Sequence, residues 1–139
     1  MFLDDAYGRS YPDFFDTTIP VMSQRLLELL AVAGVSNLDT YPVVLRNRRD
    51  DTTRGDYAAV NVVGCVDAVD LSRSPHELKR GRPRFSGAIE IDPSRTALAA
   101  FRLPYSPRFI VLAEPVAQCL QSHDLDSVLL QPTRAYAGT

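Results

Sequence analysis

Apolar residues recur at helical spacing in a segment near the start of the chain. Ser23, a residue type favoured at helix N-caps, comes just before this segment, and Gly34, a residue type favoured at left-handed C-caps, comes just after it. Polar side chains at positions 24, 25 and 28 fall on the opposite face. The pattern predicts a helix over 23–33 whose apolar face is formed by Leu26, Leu27, Leu29, Leu30 and Val32.

Two segments with strand character follow the helix, separated by a polar stretch. Residues 35–45 form the first, residues 46–56 are predicted to be a hairpin loop, and residues 57–66 form the second. The second segment is apolar at nearly every position, which predicts that both of its faces are covered and that Cys65 is an inert buried thiol. Asp67 and Asp70 end it, and we expect them to hydrogen-bond to the neighbouring backbone.

The remaining segments give weaker signals. Residues 1–19 combine aromatic and acidic side chains with Gly8 and Pro12, which predicts an extended N-terminal arm with one short strand, its rings packed on the domain. Residues 72–84 are predicted to be a long basic loop, residues 85–91 a short strand, and residues 96–103 a short helix or strand stopped by Pro104 and Pro107.

The last third of the chain repeats the pattern of the first. At an offset of 90 positions and without a gap, residues 21–43 align with residues 111–133, and both predict a strand, a helix and a second strand that ends in proline. We therefore expect an α+β fold: a mixed, mostly antiparallel sheet with two packed helices, over 23–33 and 113–123. The aligned pairs include Leu26 with Val116, Leu30 with Leu120, Leu38 with Val128 and Pro42 with Pro132.

Composition and charge place the chain among ordinary globular proteins. Its 139 residues are 45% hydrophobic and 23% charged, which is the size and balance of a single domain, so we expect one domain over 1–139. The formal net charge of −2 is too small to imply a strongly charged partner. Cys65 and Cys119 form no disulfide framework, no apolar run is long enough to span a membrane, and the first residues do not resemble a signal peptide. These features predict a cytoplasmic protein.

Candidate catalytic and metal-binding patterns are missing from the sequence. The chain has two histidines, His76 and His123, and no serine lies in the Gly-x-Ser-x-Gly pattern of a nucleophile elbow. Histidines, cysteines and carboxylates do not cluster at metal-ligand spacing. No glycine-rich phosphate-binding or dinucleotide-binding loop is present. We therefore expect no enzyme activity, no metal and no cofactor.

A basic segment over 79–84 is the short motif that stands out. Its Arg-Gly-Arg-Pro core resembles an AT-hook, an extended segment that inserts arginines into the minor groove of DNA. These six residues carry +4, which leaves −6 on the rest of the chain, and an acidic body opposes DNA binding. A solvated surface loop or a contact with a protein partner explains the segment better. The cations are Lys79, Arg80, Arg82 and Arg84.

Three stretches together resemble one protein family. They are residues 21–43, residues 57–74 and residues 101–132, and the most specific part is the series Asn61, Asp67, Asp70 and Ser74. In this order they are similar to the predicted immunity proteins of bacterial polymorphic toxin systems, in the family typified by a myxococcal member and long catalogued as a domain of unknown function. The second helical unit departs from the family pattern, since Ala113 stands where a serine cap is common.

The resemblance implies a role that requires no catalytic residue. An immunity protein binds and neutralises a co-encoded toxin, here one met in the cytoplasm, such as a nuclease. Two surfaces are candidates for the contact: Asp67 and Asp70, imitating nucleic-acid phosphate, or the basic segment with Arg80, Arg82 and Arg84. The resemblance favours the aspartates, because it is strongest there. The alternatives are a small DNA-binding or regulatory protein that uses residues 79–84, and a small enzyme of unknown class.

Overall fold

The computed structural model describes residues 1–5, 11–125 and 128–138. Within this part of the chain, two α-helices pack against antiparallel sheets, so the predicted α+β class is confirmed. The elements, in chain order, are β1 (Phe2–Asp5), β2 (Phe14–Phe15), β3 (Val21–Ser23), α1 (Gln24–Val32), β4 (Leu38–Arg46), β5 (Thr53–Val62), β6 (His76–Lys79), β7 (Arg82–Phe85), β8 (Ala100–Leu103), β9 (Ser106–Leu112), α2 (Glu114–Gln121) and β10 (Val128–Gln131).

The strands form two four-stranded sheets and a separate hairpin. Among the described residues, one sheet has the order β2-β3-β5-β4, the other has the order β10-β1-β9-β8, and β6 and β7 pair with each other as a separate hairpin. The two large sheets meet where residues 64–66 run parallel to β8: the Arg102 N–H donates to the Gly64 carbonyl at 2.8 Å, and the Val66 N–H donates to the Arg102 carbonyl at 2.9 Å.

The predicted internal repeat is present in the order of the elements and in the pairing of the strands. In the first unit, β3 and β4 both lie antiparallel to β5, which separates them. In the second unit, β9 and β10 both lie antiparallel to β1, which separates them in the same way. Each unit is therefore a strand–helix–strand crossover with one strand inserted between its two parallel strands. The inserted strand follows the first unit in the chain but precedes the second.

The two helices bury the faces that the sequence predicted, except that Val32, at the end of the predicted face of α1, is 82% exposed. Ser23 caps α1 by accepting a hydrogen bond from the Leu26 N–H at 3.1 Å, and Gly34 beyond its end has a φ of 102°, which L residues rarely adopt. The helix α2 has no side-chain cap, because Ala113 stands at its N-cap position. The helices contact each other over a core that both sheets share. Its most buried helical side chains are Leu26, Leu30, Val116 and Leu120, each at most 2% exposed.

The long apolar strand ends earlier than the sequence predicted. β5 stops at Val62, the next residue is half exposed, and Cys65 is exposed, so the prediction of a buried thiol on a strand covered to residue 66 is wrong. The physical reason is the crossing to the second sheet. Gly64 has a φ of 157° there, and the chain turns to meet β8, which lifts the Cys65 side chain off the core.

Several predicted loops contain strands. Residues 1–19 contribute two strands, one to each large sheet, with Phe2 and Phe14 buried; the central part of this segment lies outside the described residues. The polar hairpin loop predicted over 46–56 is shorter, because β5 begins at Thr53. The basic loop predicted over 72–84 is mostly the β6–β7 hairpin, and the strand predicted over 85–91 is displaced to residues 82–85.

The strand β4 forms the outer edge of its sheet. It pairs with β5 along one side only, and its burial pattern is exposed at most positions. Tyr41 and Val44 are 58% and 71% exposed, and Pro42 lies between them in mid-strand. Proline is found in sheets almost only on such edge strands, because it has no N–H to donate.

Candidate functional site

The basic segment forms the tip and one strand of the β6–β7 hairpin. Lys79 lies opposite Arg82 across the hairpin, and Arg80 and Gly81 form the two-residue turn. Both turn residues have positive φ, at 54° and 75°, which is the pattern of a type I′ turn. The Arg-Gly-Arg-Pro core is therefore a folded hairpin with Pro83 buried, and it differs from the extended conformation that an AT-hook needs.

The hairpin forms one wall of an open groove of about 860 Å³. The other wall comes from the β8–β9 turn and from β9, which supply Tyr105, Arg108 and Phe109, with Tyr136 from the end of the chain. Arg108 brings a fifth cation to the four of the basic segment. We call this the basic groove. It is lined by Lys79, Arg80, Arg82, Pro83, Arg84, Phe85, Tyr105, Ser106, Arg108, Phe109 and Tyr136.

The cations of the basic groove form no salt bridge among the described residues, although Glu77 lies opposite Arg84 across the hairpin. None of its lining residues is acidic, and none of its five cations belongs to the salt bridges found among the described residues. Among the other arginines, Arg25, Arg46 and Arg54 each pair with an aspartate, whereas Arg48 and Arg49 also lie outside these salt bridges. The five cations of the groove leave a formal charge of −7 on the rest of a chain that carries −2 as a whole. The molecule is therefore polarised.

Packed aromatic rings support the basic groove. The Phe109 ring lies 4.9 Å from the Phe2 ring and 5.7 Å from the Tyr136 ring, and Phe2 and Tyr136 are 5.9 Å apart, all between centroids. Edge-to-face contacts of this kind stabilise a fixed arrangement of rings. Phe2 is buried, while Phe109 and Tyr136 are half-buried and line the groove. The groove thus combines a rigid, partly apolar floor with exposed cations.

Asp67 lies beside the basic groove and contacts one of its lining residues. The exposed Asp67 carboxylate accepts a hydrogen bond from the Tyr105 hydroxyl at 2.8 Å. This hydrogen bond holds the pKa of Tyr105 above its usual value, because the phenol loses it on ionisation. Asp67 therefore contacts the groove through Tyr105 and helps to position that side chain.

Asp70 has a local structural role. Its carboxylate accepts hydrogen bonds from the Ser72 N–H at 3.1 Å and from the Ser72 hydroxyl at 2.6 Å, which caps the short 3-10 turn Leu71–Arg73. These bonds, the one from the hydroxyl first, hold the pKa of Asp70 below its usual value. The expectation that strand-end acids bind neighbouring backbone is confirmed for Asp70, while Asp67 reaches across to Tyr105 instead.

The series of residues that carries the family resemblance supports the junction of the elements. Asn61 accepts a hydrogen bond from the Arg102 guanidinium at 3.2 Å. The buried Ser74 hydroxyl donates to the Asp70 carbonyl at 2.7 Å and accepts from the Glu90 N–H at 2.9 Å. These hydrogen bonds therefore fix the segment that follows β5 to Arg102 and Glu90, which is a structural reason for the spacing of the series.

The two histidines contact groups close to them in sequence, and the described residues hold no cluster suited to a metal ion. Nδ1 of His76 lies 2.7 Å from the Ser74 carbonyl, and Nδ1 of His123 lies 2.9 Å from the Cys119 carbonyl, so both imidazoles contact backbone close in sequence. In the part of the chain that the structure describes, no three histidine, cysteine or carboxylate side chains group in a way that could hold a metal ion. No helix of the described residues is long and apolar enough to cross a membrane.

The structure brings together part of the predicted site. Arg80, Arg82 and Arg84 line one groove with Arg108, which the sequence analysis did not select, and Asp67 borders it through Tyr105. Asp70 is engaged with Ser72, outside the groove lining. Arg108 carries no local signal in the sequence, because the hairpin residues with which it shares the groove lie more than twenty positions earlier in the chain. No protein-family model matches the chain, and no curated protein matches it closely.

Proposed function

We propose that this protein is an immunity protein, which binds and neutralises a co-encoded bacterial toxin in the cytoplasm and acts without catalysis. The observation that carries the proposal is the basic groove: five cations without a carboxylate among the lining residues, on a floor of packed rings. Exposed charge left unpaired by the fold is available to a partner.

The basic groove has the properties of a preformed protein-binding surface. Lys79, Arg82 and Arg84 lie on the paired strands of the hairpin, Arg80 lies in its turn, and Arg108 lies on β9. The floor is held by ring contacts, so little backbone freedom is lost on binding. Four of the five cations are arginines, whose planar guanidinium groups can bind a carboxylate through two parallel hydrogen bonds. The geometry thus favours the basic surface over the aspartate surface as the toxin contact, because Asp67 and Asp70 already have partners.

Co-expression with the product of the adjacent open reading frame tests the proposed function. Both proteins are produced in the bacterial cytoplasm, and the toxin is also produced alone and with an unrelated protein of similar size. We expect growth arrest by the toxin alone, normal growth in the presence of this protein, and recovery of a complex of the two chains. Arrest that persists with this protein present, together with no complex, would contradict the proposal.

A further inference from the structure

We propose that the basic groove binds an extended acidic segment of the toxin, in which carboxylates stand on alternate residues. This inference rests on the proposed function for the class of partner, and it names the contact. Its first support is the spacing of the arginines. Arg82 and Arg84 are two residues apart on β7, so their side chains leave the same face of the strand, about 7 Å apart. Alternate residues of an extended partner have the same spacing.

The turn of the hairpin gives a second, independent reason to expect a partner for the cations. Arg80 occupies a left-handed conformation, with a φ of 54°, at a turn position where asparagine or glycine is favoured. An arginine adopts this conformation less readily than asparagine or glycine does. The side chain is exposed and is absent from the salt bridges of the described residues. Asparagine or glycine would suit this turn position better, so an arginine there is consistent with a role for its charge.

The second wall extends the charge across the groove. Arg108 lies on β9, in a different sheet from the hairpin, so a segment in the groove meets cations on both sides. The half-buried Phe109 and Tyr136 form part of the floor. A polypeptide fits this combination, because its backbone and intervening side chains can pack on rings while its carboxylates reach the arginines.

The charge of the remaining surface argues for a protein rather than a nucleic acid. The rest of the chain carries −7, and a polyphosphate backbone that continued past the groove would meet that negative field. An acidic segment that is short, and that belongs to an otherwise mixed protein surface, avoids this repulsion. The folded hairpin also cannot enter a minor groove in the extended form of an AT-hook.

The test uses a charge-reversing pair with one member on each wall, Arg82→Glu with Arg108→Glu. The glutamate at position 82 would face Lys79 across the hairpin, which favours folding, whereas Arg84→Glu would face Glu77 and repel it. The matched control is Arg48→Glu with Arg49→Glu. This pair makes the same change of charge at two exposed arginines in the β4–β5 turn, which are also outside the described salt bridges.

Affinity for the co-encoded toxin is measured by calorimetry for the wild type and both double variants, each checked for folding by its thermal unfolding transition. We expect the groove variant to bind at least about 100-fold more weakly and the control variant to stay within about threefold of wild type. If the groove double variant does not fold, Arg108→Glu alone is used, with an expected loss of about tenfold. Toxin binding that is equally tight in all variants would overturn the groove assignment and leave the immunity function standing.

A second measurement probes the groove without the toxin. A fluorescein-labelled peptide of alternating glutamate and threonine is compared with a peptide of the same composition in two blocks and with a single-stranded oligodeoxynucleotide of equal charge. We expect wild type and the control variant to bind the alternating peptide most tightly, and the groove variant to lose that binding. No binding of the alternating peptide, or tighter binding of the oligonucleotide at the same residues, would overturn the inference. Peptide binding by a protein that fails to protect against the toxin would instead refute the immunity function alone.

Discussion

Three aspartates share one local arrangement that ties their charge to the backbone. In each case a carboxylate oxygen accepts both the N–H and the hydroxyl of the residue two positions ahead, at 2.6–3.1 Å. The hydroxyl bond is the largest cause of a pKa below the usual value for all three groups. Asp70 thus has an explanation in the fold that does not involve a partner. The pairs are Asp50 with Thr52, Asp70 with Ser72, and Asp92 with Ser94.

Removing the hydroxyl at one of these turns should raise the pKa of its aspartate. We expect Ser72→Ala to move the pKa of Asp70 upward towards the reference value of 3.8, while the pKa of Asp92, whose own serine is untouched, stays low. Carboxyl carbon shifts followed by NMR across an acid titration give both values in one sample. An unchanged Asp70 pKa would show that the hydroxyl does not hold the charge.

The lowered pKa of Asp70 also predicts how its contribution to the free energy of unfolding changes with pH. The folded-state pKa of Asp70 lies below the unfolded value, so its contribution is complete above the unfolded pKa and is lost as the pH falls through the folded value. Urea unfolding of wild type and Ser72→Ala should therefore differ more at pH 6 than at the acid end of the stability range. A difference that grows on acidification would contradict this sign.

At the level of elements, the two helices should make equivalent contributions to the shared core. Leu30 and Leu120 occupy matching positions of the repeat and are 1% and 2% exposed. We expect Leu30→Ala and Leu120→Ala each to lower the free energy of unfolding by about 2–5 kcal/mol, because each leaves a cavity in the same core. Val32→Ala is the control, since that side chain is 82% exposed and should cost less than about 0.5 kcal/mol. Denaturant unfolding measures all three.

Elements with a local signature could be predicted from the sequence, and those built by distant contacts could not. The cap at Ser23, the apolar face of α1 and its repetition 90 residues later depend on spacing within one segment, and the structure confirms them apart from the exposed Val32. The β6–β7 hairpin was predicted to be a loop, because its strands are rich in arginine and proline rather than in β-branched residues. The structure shows the pairing of these strands, with Lys79 opposite Arg82 beside the turn.

The candidate site shows the same division. Arg80, Arg82 and Arg84 were candidates because their charges are adjacent in the sequence, and they share a groove in the structure. Arg108 could not be predicted, since more than twenty positions separate it from the hairpin and its neighbours are unremarkable. The buried state predicted for Cys65 failed for a related reason: an apolar run does not reveal where a strand leaves one sheet to join another.

At the level of the whole molecule, the separation of charge should control how fast the toxin is bound. A groove of five cations on a chain that otherwise carries −7 orients an acidic partner before contact. We expect the association rate constant to fall as NaCl is raised from low to physiological concentration, with a smaller change in the dissociation rate constant. Stopped-flow fluorescence measures both. The Arg82→Glu with Arg108→Glu variant should show a much flatter salt dependence, and an equally steep one would contradict electrostatic steering by the groove.

The exposed strand β4 has a consequence for the behaviour of the protein at high concentration. A long, unpaired strand edge that displays Tyr41 and Val44 is a template on which other chains can add strands and aggregate. Pro42 interrupts that template in its middle, because it offers no N–H to an incoming strand. We expect Pro42→Val to leave the fold intact and to increase light scattering in concentrated solution, whereas Thr40→Val, elsewhere on the same strand, should increase it less. The single proline of β4 would then set the concentration at which this protein begins to aggregate.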